Sequence, residues 1–191
     1  MPGVIRTRVG YAGGTTKFPS YRNLGNHTEA LEIDYDPVVI SFRQLLDIFW
    51  GSHIPTARSW SSQYKAAVFY HNEEQKKLAL ESIEKETEKR KAAILTEILP
   101  FRGFYLAEDY HQKYRLRQDM EFFGEFEHIY PSMRNFISST AVARMNGYLG
   151  GYGKLDDLRL EVDSYGLSEK AKKRLIGIVS GTNANGATCP L

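Results

Sequence analysis

Cysteine is nearly absent from this sequence of 191 residues, which contains a single one, Cys189. One thiol excludes a disulfide within the printed chain. Cys189 lies in a run of small and polar residues that starts at Gly181, and such a run predicts a flexible tail. A thiol on a flexible arm suits disulfide exchange, and an incidental tail cysteine explains the residue equally well.

Long apolar segments and blocks of one charge are also lacking. No run approaches the roughly 20 apolar residues that cross a membrane, and the segment from Met1 to Arg6 has no apolar stretch typical of a secretory signal. The 25 basic and 23 acidic residues are interspersed, which argues against a basic arm for nucleic acid. We therefore expect a soluble, cytoplasmic protein with no nucleic-acid or membrane partner.

Motifs for metals, nucleotides and hydrolysis are missing as well. His27, His53 and His111 do not have the spacing of a metal site. The glycines at residues 147–151 lack the lysine of a phosphate-binding loop, and no serine stands in a nucleophile elbow. We expect neither a metal nor an organic cofactor.

Hydrophobic periodicity predicts strands that alternate with helices. The predicted strands are residues 5–11, 28–35, 63–70 and 94–99, and the predicted helices are residues 42–51, 73–91, 133–145, 155–165 and 168–179. Ser41 and Gln44 form a capping-box pattern at the start of the clearest helix. The order predicts an α/β (α+β) two-layer sandwich, with a mixed sheet and flanking helices, followed by a helical C-terminal extension.

The second predicted strand carries a carboxylate on its apolar face. Leu31, Ile33 and Tyr35 share one side of the strand, and Glu29 falls on the same side. Burial favours the neutral form of a carboxyl, and a neutral carboxyl suits a proton donor. A strand end that remains wet is the alternative reading of the same pattern.

Two tyrosines are candidates for binding or for packing alone. Tyr21 lies in a loop after Pro19, and Tyr64 precedes an apolar strand core. A phenol in either place is able to donate a hydrogen bond to a ligand, and the residues alone do not decide between this role and packing.

An ordered set of short motifs occurs between Gly3 and Tyr114. The motifs are Val9-Gly10-Tyr11-Ala12-Gly13-Gly14, Pro19-Ser20-Tyr21, His27-Thr28-Glu29, Tyr35-Asp36-Pro37, Phe49-Trp50, Gln63-Tyr64-Lys65-Ala66 and the run from Phe104 to Tyr114. This set resembles the A-type methionine sulfoxide reductases, the peptide-methionine (S)-S-oxide reductases. The region after Tyr130 is similar to a C-terminal extension, ending in a cysteine, of some animal forms.

The resemblance implies a reaction, the reduction of the S epimer of methionine sulfoxide, free or in proteins, as a repair of oxidised proteins. In this family a cysteine thiolate attacks the sulfoxide sulfur, and the resulting sulfenic acid is recycled through a disulfide. Carried over by motif, Glu29 is the proton donor, and Tyr21 and Tyr64 donate hydrogen bonds to the sulfoxide oxygen. Cys189 is the candidate recycling thiol. The implied partners are thioredoxin and oxidised methionine, with a dithiol reductant in place of a cofactor, and we expect a monomer.

Two departures from the family pattern accompany the resemblance. The family's Gly-Cys-Phe-Trp-Gly motif belongs upstream of Val4, so we expect this chain to lack the nucleophilic cysteine and its strand. The aspartate before the Gln-Tyr pair is also missing, since Arg58-Ser59-Trp60-Ser61-Ser62 stands there. The chain is therefore either a short form or an incomplete version of a working reductase, or a non-catalytic short isoform that acts as a binding or interaction protein.

The resemblance and the patterns together divide the chain into three parts. Residues 1–128 are the predicted reductase-like domain, without its first strand and nucleophile segment. Residues 129–180 are the predicted helical extension, and residues 181–191 are the predicted tail that carries Cys189.

Overall fold

A computed structural model of the chain describes the backbone of residues 1–184 and the side chains of residues 1–181. Cys189 and most of the predicted tail lie outside the described residues. The four residues 181–184 of that predicted tail continue the last helix, and Gly181 lies within the helix without ending it.

The strands form two small sheets. They are β1 (Val4–Ala12), β2 (Thr28–Tyr35), β3 (Ala67–Tyr70), β4 (Glu97–Pro100) and β5 (Phe104–Leu106). The first sheet is antiparallel with the order β2-β1-β5, and the second pairs β3 with β4 in parallel. In the first sheet Tyr11 lies opposite Glu29 on one side and Tyr105 on the other.

The helices cover one layer of the first part of the chain and nearly all of the last part. They are α1 (Phe42–Gly51), α2 (Glu73–Arg90), α3 (Tyr114–Arg117), α4 (Met120–Ile129), α5 (Met133–Ser138), α6 (Thr140–Leu149), α7 (Leu155–Glu161) and α8 (Glu169–Ala184). Within residues 1–184, no helix combines the length and apolarity needed to cross a bilayer.

The predicted mixed α/β class with a helical C-terminal part is confirmed. The capping box of α1 is present, since Ser41 Oγ accepts from the Gln44 N–H at 3.3 Å and Gln44 Oε1 accepts from the Ser41 N–H at 2.9 Å. The predicted single mixed sheet is replaced, within residues 1–184, by one antiparallel and one parallel sheet. The strand predicted at residues 63–70 is shorter, because a 3₁₀ turn occupies Ser62–Tyr64.

The predicted burial of β2 is wrong at its first half. Leu31 is 57% exposed, and Glu29 is exposed as well. Among the described strands β2 pairs with β1 alone, so it is an edge strand, and side-chain alternation does not determine which face of an edge strand is covered. On the opposite face Glu32 forms an ion pair with Arg8 at 2.7 Å.

Buried apolar residues form three separate clusters. The largest lies among helices α3 to α8, on both sides of the predicted boundary at residue 128, and includes Phe122, Phe126, Met145 and Leu175. A second cluster lies between α1, α2 and the parallel sheet, around Trp50. The smallest consists of Tyr11, Leu24 and Ala107 beside the antiparallel sheet. The reductase-like part is therefore organised around two small cores and the helical part around one large core.

A short segment after β5 is hydrogen-bonded to β1 of the antiparallel sheet through two side chains. The Gln112 side chain accepts from the Val9 N–H at 3.1 Å and donates to the Val9 carbonyl at 2.8 Å, so its amide replaces a peptide group of a neighbouring strand. Lys113 Nζ donates to the Thr7 carbonyl at 2.6 Å and to Thr7 Oγ1 at 2.9 Å. These contacts fix β1 against the segment that leads into the helical extension.

Candidate functional site

The Glu29 carboxylate and the Tyr64 hydroxyl are joined by one amide group. Gln63 Nε2 donates to Glu29 Oε1 at 2.7 Å and to Tyr64 Oη at 3.2 Å. The structure therefore brings the predicted proton donor and one predicted tyrosine together, and it adds Gln63 between them. The Gln-Tyr pair was part of the sequence motif, but the contact between its glutamine and Glu29 depends on the fold.

The turn at Ser62–Tyr64 creates this arrangement. In a strand, consecutive side chains point to opposite faces, which would separate Gln63 from Tyr64. Thr28 Oγ1 donates to the Gln63 carbonyl at 2.8 Å and lies 3.3 Å from the Lys65 carbonyl, so the first residue of β2 holds the turn beside Glu29. The register of the turn is thus set by a residue next to the acid itself.

Tyr21 approaches the same place from the long loop between β1 and β2. Its hydroxyl interacts with that of Tyr64, and this interaction, followed by burial and the charge of Glu29, raises the pKa of Tyr64 above its ordinary value. The Tyr21 ring packs against His111 with centroids 4.7 Å apart. Glu29, Tyr64 and Tyr21, which were selected from separate motifs, therefore form one cluster.

Glu108 fixes the position of Tyr21, a role that sequence reasoning missed. Its carboxylate accepts from the Tyr21 backbone N–H at 3.0 Å and from Tyr11 Oη at 2.5 Å. Burial alone raises the pKa of Glu108, but the hydrogen bonds from Tyr11 and Tyr21 outweigh it and hold the pKa below its usual range. The one available signal was the place of Glu108 in the motif that ends at Tyr114.

The cluster lies open to solvent rather than in a closed hollow. Tyr21 and Tyr64 are each 41% exposed, and Glu29 is exposed too. The inward orientation expected for Glu29 is therefore wrong within the described residues. Trp60 extends the cluster outward, because its ring lies 4.8 Å from that of Tyr64.

The histidines do not converge on the cluster as a metal site. His27 is buried, accepts from the Gly14 N–H at 3.2 Å and lies 2.9 Å from the Thr16 carbonyl, which ties down the loop after β1. His53 packs on Trp50 in a different core. Among residues 1–184, no group of histidine, cysteine, aspartate and glutamate side chains has the arrangement of a metal site.

The chemistry available to the cluster is hydrogen-bond and proton donation to an oxygen atom. Two phenols and a carboxyl group meet at one place, and each is able to donate a proton when it is in its neutral form. A polarised oxygen such as that of a sulfoxide is a matching acceptor. The described residues hold no thiol, and Cys189 lies outside them.

Two protein-family models match the chain. The model described as peptide methionine sulfoxide reductase matches residues 1–142. The model described as the helical domain of selenoprotein methionine sulfoxide reductase A matches residues 135–179.

Several curated proteins are similar to the chain. The peptide methionine sulfoxide reductase of Drosophila melanogaster is 40% identical over 193 residues, which cover 98% of this chain and 76% of that protein. The peptide methionine sulfoxide reductase A5 of Oryza sativa is 38% identical over 78% of this chain and 60% of its own length. The MsrA of Methanosarcina acetivorans is 46% identical over 60% of this chain and 66% of its own length. The chain thus spans about three fifths to three quarters of these relatives.

Solved structures are similar as well. Reduced Mxr1 from Saccharomyces cerevisiae superposes with a TM-score of 0.57 at 30% identity, over 61% of this chain and 72% of that one. The methionine sulfoxide reductase A of Corynebacterium diphtheriae gives a TM-score of 0.53 at 32% identity, over 62% of this chain and 66% of that one.

Proposed function

The chain belongs to the peptide methionine sulfoxide reductase family, whose named members are enzymes, and on this premise we propose that it reduces the S epimer of methionine sulfoxide to methionine. The substrate is oxidised methionine, free or in proteins, and the activity repairs oxidised proteins. The observation that carries the proposal is the cluster in which Gln63 joins Glu29 to Tyr64 and Tyr64 meets Tyr21.

Each member of the cluster has a role in this proposal. Tyr21 and Tyr64 donate hydrogen bonds to the sulfoxide oxygen, which makes the sulfur more electrophilic. A thiolate attacks that sulfur, Glu29 protonates the oxygen, and the oxygen passes to the attacking sulfur as methionine leaves. The product on the enzyme is a sulfenic acid, which condenses with a second thiol to a disulfide and releases water.

The full cycle requires two thiols, and the printed sequence contains one. We assign the attack to a Gly-Cys-Phe-Trp-Gly segment outside the printed sequence, as the resemblance implies, and recycling to Cys189. An attacking thiolate is activated by a helix N-terminus or a neighbouring cation. Because residues 135–179 match a domain named from selenoproteins, selenocysteine is a second candidate for the attacking residue.

The proposed reductant is thioredoxin or another dithiol, which returns the disulfide to two thiols without a metal or nucleotide cofactor. Such recycling needs a reducing compartment, and the cytoplasm supplies one.

The proposal is tested with the chain and with an extended chain translated from the natural transcript upstream of Met1. Both are assayed on the S and R epimers of dabsyl-methionine sulfoxide, with dithiothreitol and with a thioredoxin system. We expect the extended chain to reduce the S epimer alone. Glu29→Gln should lower its kcat/KM by about 100-fold or more. Glu74→Gln, an exposed carboxylate on α2, is the matched control and should leave it unchanged.

The same assay separates the alternatives. If the upstream transcript encodes neither a cysteine nor an in-frame UGA, and no form turns over the sulfoxide, the chain is a non-catalytic binding or interaction protein. Activity of residues 1–191 alone that Cys189→Ser abolishes would move the attack to the tail thiol.

A further inference from the structure

The two tryptophans of the chain are placed very differently. Trp50 is 2% exposed in the core between α1 and α2, whereas Trp60 is 82% exposed. An indole is the largest apolar side chain, and most tryptophans bury the greater part of it. Burial therefore explains Trp50, whereas most of the Trp60 indole is not covered by any of the described residues.

Hydrogen bonds between the residues that flank Trp60 hold it at the surface. Ser59 Oγ donates to the Ser61 carbonyl at 2.6 Å and accepts from the Ser61 N–H at 3.4 Å, so the residues on both sides of Trp60 are bonded to each other. Earlier in the same loop, the Ala57 N–H donates to the Ile54 carbonyl at 3.0 Å. The loop thus has a defined path that presents the indole at the surface.

Trp60 is also one ring away from the proposed catalytic cluster. Its ring centroid lies 4.8 Å from that of Tyr64, and the two rings are inclined by 35°. Tyr64 Oη in turn receives the Gln63 amide that bonds to Glu29. A ligand whose oxygen meets Tyr64 therefore has the indole as its next neighbour on the outer side.

We propose that Trp60 is a specificity-determining residue, which binds an apolar side chain adjacent to the oxidised methionine of a polypeptide substrate. The inference rests on the proposed function and adds to it the class of residue that the site prefers next to the oxidised methionine. Adjacent Cα atoms in a polypeptide are about 3.8 Å apart, so a side chain next to the oxidised methionine lies within reach of a ring whose centroid is 4.8 Å from that of Tyr64.

Contact with the indole favours flat apolar side chains. Aromatic pairs at this kind of spacing contribute about 0.5–1.5 kcal/mol beyond the area they bury, which corresponds to roughly 2- to 12-fold in affinity. Serine beside the oxidised methionine offers almost no such contact. The expected discrimination between phenylalanine and serine neighbours is therefore about fivefold.

Binding is measured by NMR with ¹⁵N-labelled chain of residues 1–191, so turnover is not required. The probes are the capped tripeptides Phe-Met(O)-Phe and Ser-Met(O)-Ser, each with the S sulfoxide. The indole N–H signals separate Trp60 from Trp50, and the side-chain amide signals of Gln63 report occupancy of the cluster. The variants are Trp60→Ala and Trp60→Phe, with Tyr152→Ala as the control for loss of an exposed ring (62% exposed) far along the chain.

We expect both peptides to shift the Gln63 amide, and the phenylalanine peptide to bind about fivefold tighter and to shift the Trp60 indole but not that of Trp50. Trp60→Ala should bring the affinity ratio close to one, Trp60→Phe should retain part of it, and Tyr152→Ala should retain all of it. A ratio that Trp60→Ala leaves unchanged overturns the inference and leaves the proposed function in place. If neither peptide shifts the Gln63 amide, the proposed function fails and the inference fails with it.

Discussion

At the scale of single residues, the side-chain amide of Gln63 orders the proposed catalytic cluster. One amide nitrogen has two hydrogens, and the structure uses one for Glu29 and one for Tyr64. Tyr64 Oη is therefore an acceptor in this contact, and its hydroxyl also interacts with that of Tyr21.

Glu108 gives a prediction about acid stability. Its pKa is lower in the folded protein than its ordinary value of 4.5, so its stabilising contribution is present above that value and is lost as the pH falls through the folded pKa. Glu108→Gln should lower the melting temperature at pH 7. It should also reduce the loss of stability that occurs as the pH falls below 4.5. Thermal unfolding at a series of pH values measures both effects. Glu88→Gln, exposed on α2, is the control, and an equal response from both variants would contradict the assignment.

Lys113 gives a prediction of the same sign at higher pH. Burial, with a smaller effect of Arg8, lowers its pKa to about 8 from 10.5. Between these values the unfolded chain binds more protons than the folded one, so the free energy of unfolding rises with pH. The rise is at most about 3.5 kcal/mol, since one pKa unit corresponds to about 1.4 kcal/mol.

Urea unfolding at pH 7, 8, 9 and 10 tests Lys113. The parent chain should gain stability across this series, while Lys113→Met should lack most of the gain. A matched change at Lys77, which is largely exposed on α2, should leave the gain intact. Identical pH profiles for the parent chain and Lys113→Met would show that the buried amine is not the titrating group.

The sequence identifies some site residues and misses others for a physical reason. Glu29, Tyr21 and Tyr64 stand in short local motifs, which a single sequence displays. Glu108 acts on Tyr21 from 87 residues away, and its role depends on how the chain folds back. The exposure of Glu29 was mispredicted because side-chain alternation describes the two faces of a strand but not what covers them.

At the scale of elements, a buried hydrogen bond joins α1 to α2. Trp50 Nε1 donates to Ser82 Oγ at 3.0 Å, and Ser82 Oγ donates to the Ala79 carbonyl at 2.7 Å. Ser82→Ala leaves the indole N–H buried without an acceptor. We expect a loss of about 1–3 kcal/mol in the free energy of unfolding.

Chemical unfolding followed by tryptophan fluorescence measures the effect of Ser82→Ala. Ser82→Cys, which keeps a weak acceptor of similar size, should recover part of the loss. A cost under about 0.5 kcal/mol for Ser82→Ala would mean that water or a backbone carbonyl replaces the serine oxygen.

Elements with local end signals were predictable, and elements without them were less so. The bounds of β2 and the cap of α1 follow from the Asp36-Pro37 turn and the Ser41–Gln44 pair. Helix α4 was missed, although Asp119 caps it by accepting from the Phe122 N–H at 3.3 Å. Gly124 interrupts its apolar pattern, and the packing of its phenylalanines in the helical core stabilises it against that weak propensity.

At the scale of the whole molecule, the separate cores predict unequal responses to mutation. Phe126 is fully buried in the helical core, whereas Trp50 belongs to the core between α1 and α2. Phe126→Ala should cost about 3–5 kcal/mol in the helical part. The unfolding midpoint should therefore fall more when it is followed by far-ultraviolet circular dichroism than by Trp50 fluorescence in a Trp60→Phe background.

The control for Phe126 is Leu160→Ala, because Leu160 is 88% exposed on α7. It should shift neither signal by more than about 0.5 kcal/mol. Equal shifts of both signals in Phe126→Ala would show that the cores unfold as one cooperative unit.

The hydrogen bonds that Gln112 and Lys113 make to β1 have a consequence for synthesis on the ribosome. Val9 is translated 103 residues before Gln112, and Thr7 is translated 106 residues before Lys113. At about 5–20 residues per second, roughly 5–20 seconds pass between the synthesis of this strand and the synthesis of the side chains that complete its hydrogen bonds. During that interval a nascent chain displays an incompletely paired strand, so a message that ends before the codon for Gln112 should yield a product that chaperones retain and proteases remove.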